Sequence, residues 1–250
     1  MRIPRIYINQ SIAFNECFTA GSTVAHYVNT VLRMKVGRQV ILFNGHGGEY
    51  SATIVDSNKK TVSFEIDNFN DVQLESPLSI ELACCLIKSD RMDWLLQKAT
   101  ELGVTSFVPL FSECTDIKIP QNRLKKKVDH WQQVVVSACE QSGRTHIPTV
   151  ASPRGLNAWI EPIKVDKKII LHPYEAQSLD STSNENIHSV ALLVGPEGGL
   201  TDEEVALAHR YSFCSISLGP RILRAETAPL AALSIIQHEF GDFSSPQASP

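Results

Sequence analysis

Hydrophobic residues in the first seventy positions collect in short runs broken by turn formers. Arg5–Ile8, Gln39–Phe43, Tyr50–Val55 and Thr61–Ile66 are rich in Val, Ile, Phe and Tyr, which predicts strands. Asn44-Gly45-His46-Gly47-Gly48 and Asp56-Ser57-Asn58 are the clearest turns between them. One helix interrupts the series, with Ser22 or Thr23 as its cap and Val24, Tyr27, Val28, Val31 and Leu32 on one face. Strands this short and closely spaced predict a small β-barrel. From Pro77 the rhythm changes. Strand Ser79–Ile87 leads to a helix from Asp90 to Leu102, closed by Gly103, and then to strand Ser106–Phe111 and helix Leu124–Gln141. Strands Lys168–Leu171 and Ser189–Val194, helix Asp202–Tyr211, strand Cys214–Leu218 and helix Glu226–Phe240 complete the pattern. Strands alternating with helices predict an α/β domain whose parallel sheet is covered on both faces. Glu75-Ser76-Pro77 is the expected linker, dividing the chain into 1–74, 75–243 and a flexible tail, 244–250.

Composition changes this picture little. The chain has 250 residues, 43% hydrophobic and 20% charged, as in an ordinary globular protein with room for two domains. Its first ten residues carry positive charge but no apolar stretch, and no later segment is long enough to span a bilayer. A cytoplasmic protein that meets no membrane is expected. The six cysteines (17, 84, 85, 114, 139 and 214) form no Cys-x-x-Cys pair, and no two histidines have the spacing of a helical metal site. Buried, reduced thiols and no metal are the reading. Charge is uneven: residues 1–74 hold 7 basic against 6 acidic side chains, 75–170 hold 13 against 11, and 171–250 hold 3 against 10. A nucleic-acid partner would therefore meet the first two thirds of the chain.

Two glycine-rich strand ends carry the candidate chemistry. In residues 190–204 an apolar strand runs into Gly195-Pro196-Glu197-Gly198-Gly199, and Thr201 with Glu204 forms a capping box for the next helix. In open α/β sheets ligands bind outside the carboxyl ends of strands, where this turn falls. It has neither the Gly-Lys-Ser/Thr ending nor the Gly-x-Gly-x-x-Gly spacing of phosphate loops. Glu197, Asp202, Glu203 and Glu204 would repel a pyrophosphate, so a neutral or cationic ligand fits better; the alternative is a tight turn with no ligand. The second strand end, residues 218–229, holds Arg221 and Arg224, the only basic residues after Arg210. Two such turns in succession suggest one composite pocket.

Gly195-Pro196-Glu197-Gly198-Gly199, followed by Leu218-Gly219 and Ile222-Leu223-Arg224-Ala225-Glu226-Thr227-Ala228, resembles the motif pair of the 16S rRNA uracil N-3 methyltransferase family, a branch of the SPOUT superfamily. His26–Arg33, Gln97–Val104, Ala138–Arg144 and Ile147-Pro148 resemble further blocks of that family in the same order. Ala225 departs from it, standing where the family more often has Thr.

The resemblance implies a PUA-like β-barrel, a trefoil-knotted methyltransferase domain, a homodimer, and S-adenosylmethionine as cofactor. Threaded chains are rare, and the knot follows from the resemblance alone. The cofactor pocket it implies has three segments. The first is Leu171, His172 and Pro173; the second contains Gly195, Pro196, Glu197 and Gly199. Leu218, Gly219, Ile222, Leu223, Arg224, Thr227 and Ala228 form the third.

Uracil carbon-5 methylation usually uses a nucleophilic cysteine, and neither motif has one. Nitrogen methylation needs only loss of the N-3 proton and an aligned donor. Arg224 is the first candidate for stabilising the resulting charge on the carbonyl oxygens, and Glu226 the second candidate, as a base or a helix cap. The target base must be unpaired or flipped out. Candidate RNA contacts are Arg2, Arg5, Arg33, Lys35 and Arg38, then Lys88, Arg91, Arg123, Lys125, Lys126, Lys127 and Arg144; for the run Lys125-Lys126-Lys127 a solvated helix start is the leading reading and RNA contact the alternative. The expected partner is 16S rRNA in the small subunit or its precursor. The rival readings are methylation at another RNA position, such as ribose, and a PUA-type RNA-binding assembly factor without catalysis.

Overall fold

The computed structural model describes residues 3–13, 17–172 and 186–244, so Arg2, Pro173 and nearly all of the expected tail lie outside the described residues. Two compact units emerge: Met1–Glu75 with Cys139–Ile147, and Ser76–Ala138 with Pro148–Pro250.

The first unit contains β1 (Arg5–Tyr7), β2 (Cys17–Ala20), α1 (Ser22–His26), a π-helical turn (Tyr27–Val31), β3 (Gln39–Phe43), β4 (Glu49–Ser57) and β5 (Val62–Asn70). They form one five-stranded sheet in the order β1-β3-β4-β5-β2, antiparallel except for β1 against β3. Two register shifts between β4 and β5 add twist and curl the sheet over Ile6, Val40, Leu42, Ile54 and Phe64. The sequence did not predict β2, a four-residue strand with only Ala20 buried. Nor does Ser22 or Thr23 cap the helix: Gly21 does, with no side-chain bond. The helix widens at its end, where Leu32 N–H donates to Tyr27 C=O, and stops at Arg33, whose φ of 52° is left-handed.

Cys139–Ile147 joins this unit through buried polar pairing. Arg5 makes an ion pair with Glu49, donates to the Arg144 carbonyl at 2.9 Å and lies over the Phe43 ring. Arg144, buried, pairs with Glu75 at 2.5 Å. Glu140 accepts Tyr7 N–H and Tyr27 O–H, each at 3.0 Å. Burial raises the Glu140 pKa above the ordinary carboxylate value, and burial beside Glu140 pushes Tyr27 up to about 12.

The second unit runs β6 (Ser79–Cys85), α2 (Ser89–Glu101), β7 (Ser106–Phe111), α3 (Gln121–Ser142), β8 (Thr149–Val150), β9 (Arg154–Gly155) and α4 (Leu156–Ile160), then β10 (Lys167–Leu171), β11 (Ser189–Val194), α5 (Asp202–Arg210), β12 (Cys214–Ile216) and α6 (Thr227–Glu239). The sheet order is β12-β10-β11-β6-β7-β8, with β9 also on β7, and every pair is parallel. Ile169, Leu192, Leu82 and Phe107 stand in one row across four strands. Alternate residues, including Ala83, Val108, Ile170 and Leu193, pack with Trp159, Val205 and Ala208 of α4 and α5. The opposite face receives α6, which also packs on α2. Residues Val190–Val194 are all buried, as coverage of both faces requires. The short β8, β9 and α4 were not foreseen, since two-residue strands leave no periodic signal.

Gly103 (φ +86°) ends α2 in a Schellman arrangement: Val104 N–H reaches the Ala99 carbonyl and Gly103 N–H reaches that of Thr100, both at 3.1 Å. Buried Gln237 of α6 fixes this corner by donating to Leu102 C=O at 3.0 Å and accepting from Ser76 Oγ at 2.8 Å. No helix among the described residues is long and apolar enough to cross a membrane.

Glu140→Ala leaves two half-buried donors without this acceptor and should cost about 1 kcal/mol in urea unfolding. Glu140→Gln should cost less, and its pH dependence sets the sign. A raised folded-state pKa means that wild-type stability falls as pH rises through the carboxylate range. The Gln variant lacks that slope and should gain on wild type as pH rises.

Candidate active site

Three adjacent parallel strands end together. Leu171 closes β10, Val194 closes β11 and Ile216 closes β12, and all three line a cavity of about 690 Å³. This is the carboxyl edge of the sheet, where β10 lies between two strands that follow it in sequence. His172 N–H donates to the Ile216 carbonyl at 3.0 Å, carrying the β10–β12 pairing into the pocket wall.

The second wall is the turn after β11. Gly199 N–H closes on the Pro196 carbonyl at 2.9 Å, with Gly199 at φ +78°. A Cβ at Gly195 would come 3.0 Å from the Leu200 side chain and 3.3 Å from Gly199 backbone, so the turn is too tight for a side chain there. The expected capping box is present: Thr201 Oγ1 accepts Glu204 N–H at 3.2 Å, and Glu204 Oε2 accepts Thr201 N–H at 2.9 Å. The other Glu204 oxygen accepts Glu113 N–H at 3.0 Å. One buried carboxylate thus ties the turn to α5 and to the loop after β7.

The third wall follows β12. Gly219 takes φ +84°, and the Arg224 carbonyl accepts both Thr227 N–H and Ala228 N–H at 2.9 Å to start α6. The Arg224 side chain is 75% exposed at the pocket. Glu226 is buried and stands at the N-cap position of α6, without a side-chain capping bond. Its Oε1 lies 3.6 Å from Arg91 Nε and 4.0 Å from Arg224 Nη1, while Arg91 Nη1 lies 3.3 Å from Glu197.

The cavity therefore gathers Leu171, His172, Gly195, Pro196, Glu197, Gly199, Leu218, Gly219, Ile222, Leu223, Arg224 and Ala228. Thr227 and Glu226 stand behind its wall. Sequence reasoning missed Val194, Leu200, Ile216 and Ser217, and it named Arg91 only as an RNA contact; Arg91 also lines this cavity. No local signal marks Arg91, because its partner Glu197 is 106 residues away. Among the described residues no cysteine lines the cavity; burial pushes Cys84, Cys85 and Cys139 up to about 12, so they stay thiols at neutral pH.

Of the expected RNA contacts, Arg33, Lys35, Arg38 and Lys88 are exposed. Arg5 and Arg144 are not available: both guanidiniums are buried in the ion pairs of the first unit, with side-chain exposures of 7%. Sequence cannot separate an interior arginine from a surface one when its carboxylate is distant in the chain.

The family model for an RNA methyltransferase domain matches residues 74–237, and that for an RNA methyltransferase PUA domain matches residues 21–67. Fold and family matches together define an RNA methyltransferase of the α/β SPOUT class with a PUA-like β unit. Ribosomal RNA small subunit methyltransferase E of Buchnera aphidicola is 37% identical over 97% of this chain and 99% of its own length, and that of Bacillus subtilis 32% identical over 88% of each. The chain belongs to that methyltransferase family. A methyltransferase from Legionella pneumophila, solved with the bound cofactor SAM, superposes with a TM-score of 0.92 at 37% identity, covering 97% of this chain and 100% of that one. The Neisseria gonorrhoeae small subunit methyltransferase E, bound to S-adenosyl methionine, gives 0.91 at 33% identity with the same coverage.

Thr201→Ala should cost about 1 kcal/mol in urea unfolding through loss of the cap. Glu204→Ala should cost more, because Glu113 N–H loses its acceptor as well. Equal losses would mean that the tie to the loop after β7 adds nothing.

Proposed function

We propose that this chain transfers a methyl group from S-adenosylmethionine to N-3 of a uridine in 16S rRNA of the small ribosomal subunit. The observation that carries the reading is the pocket where β10, β11 and β12 end. It has two glycine turns for walls, an acidic side chain on one and an exposed arginine on the other.

The pocket suits that cofactor. A Cβ at Gly199 would meet nothing within 4 Å, so the backbone there faces open space that a ligand can approach closely. Leu171, Ile216, Leu218 and Leu223 give apolar walls, and Glu197 supplies negative charge beside a sulfonium. When bound there, S-adenosylmethionine supplies an electrophilic methyl group. The residues hold it and orient the uracil. As N-3 gives up its proton and takes the methyl, negative charge gathers on the flanking carbonyl oxygens, and Arg224 is placed to balance it. Arg91 holds Glu197 and Glu226 on opposite walls, keeping Arg224 beside the turn. Cysteine addition to the ring has no nucleophile here, which favours nitrogen over carbon-5.

In this reading residues 1–74 form the RNA-binding unit and contribute Arg33, Lys35 and Arg38, all on the surface, to phosphate contacts. An rRNA substrate goes with a cytoplasmic enzyme acting on the small subunit or its precursor. The enzyme works as a homodimer. Leu233 and Ile236 are buried within the unit, so the apolar surface left for a second copy is smaller than the sequence suggested: Ile235 at 40% exposure, half-buried Leu230, and Ile222 at 79%.

Mass analysis of nucleosides from rRNA treated with the protein and labelled cofactor tests the reaction; label on ribose or carbon-5 would refute N-3. Arg224→Ala should lower the single-turnover rate about a hundredfold, with cofactor affinity within a fewfold of wild type. Light scattering at micromolar concentration should give the mass of a dimer, and Ile235→Glu should shift it toward the monomer. A wild-type monomer would remove the dimer from the proposal.

A further inference from the structure

Of the lysine run at the start of α3, Lys125 and Lys126 are exposed as a solvated helix start requires, but Lys127 is not. Lys127 Nζ reaches Ser89 Oγ at 2.5 Å and sits 5.3 Å from the centre of the Trp131 ring. One turn on, His130 bonds Asp93 at 2.7 Å. The first turns of α3 therefore lie along the first turns of α2, all within the second unit. Helical spacing sets Arg123 with Lys127 on the α2 side of α3, near Lys88, which directly precedes α2; Lys126 lies at the edge of that side and Lys125 on the far side. Lys88, Arg123, Lys125 and Lys126 are exposed, and none has a carboxylate partner among the described residues. The carboxylates nearby in sequence are Asp90 and Asp129, both exposed, and Asp93, already bonded to His130. Lys88, Arg123, Lys126 and Lys127 thus stand against Asp90 and Asp93 on this face, while Asp129 lies beside Lys125 on the far side.

The face is continuous with the pocket. Arg91 lines the cavity three residues beyond Lys88, about 4.5 Å along the helix axis. The pocket mouth is then bordered by opposite signs. Glu197 of the glycine turn and Arg91 of α2 both line it, with Asp202 and Glu203 a few residues beyond the first and Lys88 three residues before the second. A cationic cofactor suits the first border and a phosphate chain the second.

We propose that this α2–α3 face of the methyltransferase unit is a binding surface for the backbone of single-stranded RNA flanking the target nucleotide. The proposal deepens the rRNA reading and rests on it. N-3 lies on the pairing edge of uracil, so the strand at the pocket is unpaired. A strand crossing the mouth at Arg91 meets Lys88 first, then Arg123 and Lys126 of α3. These contacts are to phosphate and hold the strand without reading sequence.

The test uses the full chain and an unstructured oligouridine, titrated over a salt series. Arg123→Glu with Lys126→Glu should weaken binding about tenfold near physiological salt. The slope of log affinity against log salt should fall by about 1.4, the release expected from two single-strand phosphate contacts. Lys88→Glu alone should lower the slope by about half as much. Cofactor affinity by calorimetry should match wild type in each variant, which also reports that the unit is folded. Unchanged oligouridine affinity and slope would overturn the proposal, as would a loss of affinity that is the same at every salt concentration. The rRNA reading fails by a different result: no methyl transfer to RNA by the wild-type chain.

Discussion

A parallel sheet buried on both faces can meet a ligand only where its strands end, and that constraint organises the second unit. Every backbone group inside the sheet is paired, and Val190–Val194 have no exposed face to offer. Chemistry is left to the loops at the carboxyl edge. The strand order β12-β10-β11 brings three loops, far apart in sequence, to one point. The glycine turns, the acidic side chain and the exposed arginine follow from that meeting.

Carboxylates tie the loops together, and two of them, Glu204 and Glu226, are buried. Glu204 uses both oxygens, one to close the cap of α5 and one to fix the loop after β7. Glu226 and Glu197 share Arg91, so one side chain of α2 braces two walls of the pocket. The first unit repeats the logic with Glu140, Glu75 and Glu49, which hold Tyr7, Tyr27, Arg144 and Arg5. Such groups are costly to strand without partners, so each pair specifies its geometry closely.

Charge divides the work of the molecule. The acidic last third surrounds a pocket suited to a cation, and exposed basic residues lie on Arg33–Arg38 and on the starts of α2 and α3. Net charge alone, −4, conceals this arrangement. Arg5 and Arg144 show that basic residues do not all belong to an RNA surface, since both serve the interior.

What the sequence determined by itself was local or repetitive. The alternation of strand and helix from Pro77 onward, the capping box at Thr201 and Glu204, and the end of α2 at Gly103 were all written in neighbouring residues. The two glycine turns could also be read as one pocket, because both follow apolar runs that can only be strands. Tertiary structure alone decided which partners meet across long stretches of chain. Arg91 joined the pocket through Glu197, 106 residues away, and Cys139–Ile147 joined the first unit through Glu75, 69 residues from Arg144, and Tyr7, 133 residues from Glu140. Lys127 became part of a surface shared by two helices for the same reason. Periodicity records which face of an element is buried. It does not record what lies across the gap, and the energy of a charged side chain is set there.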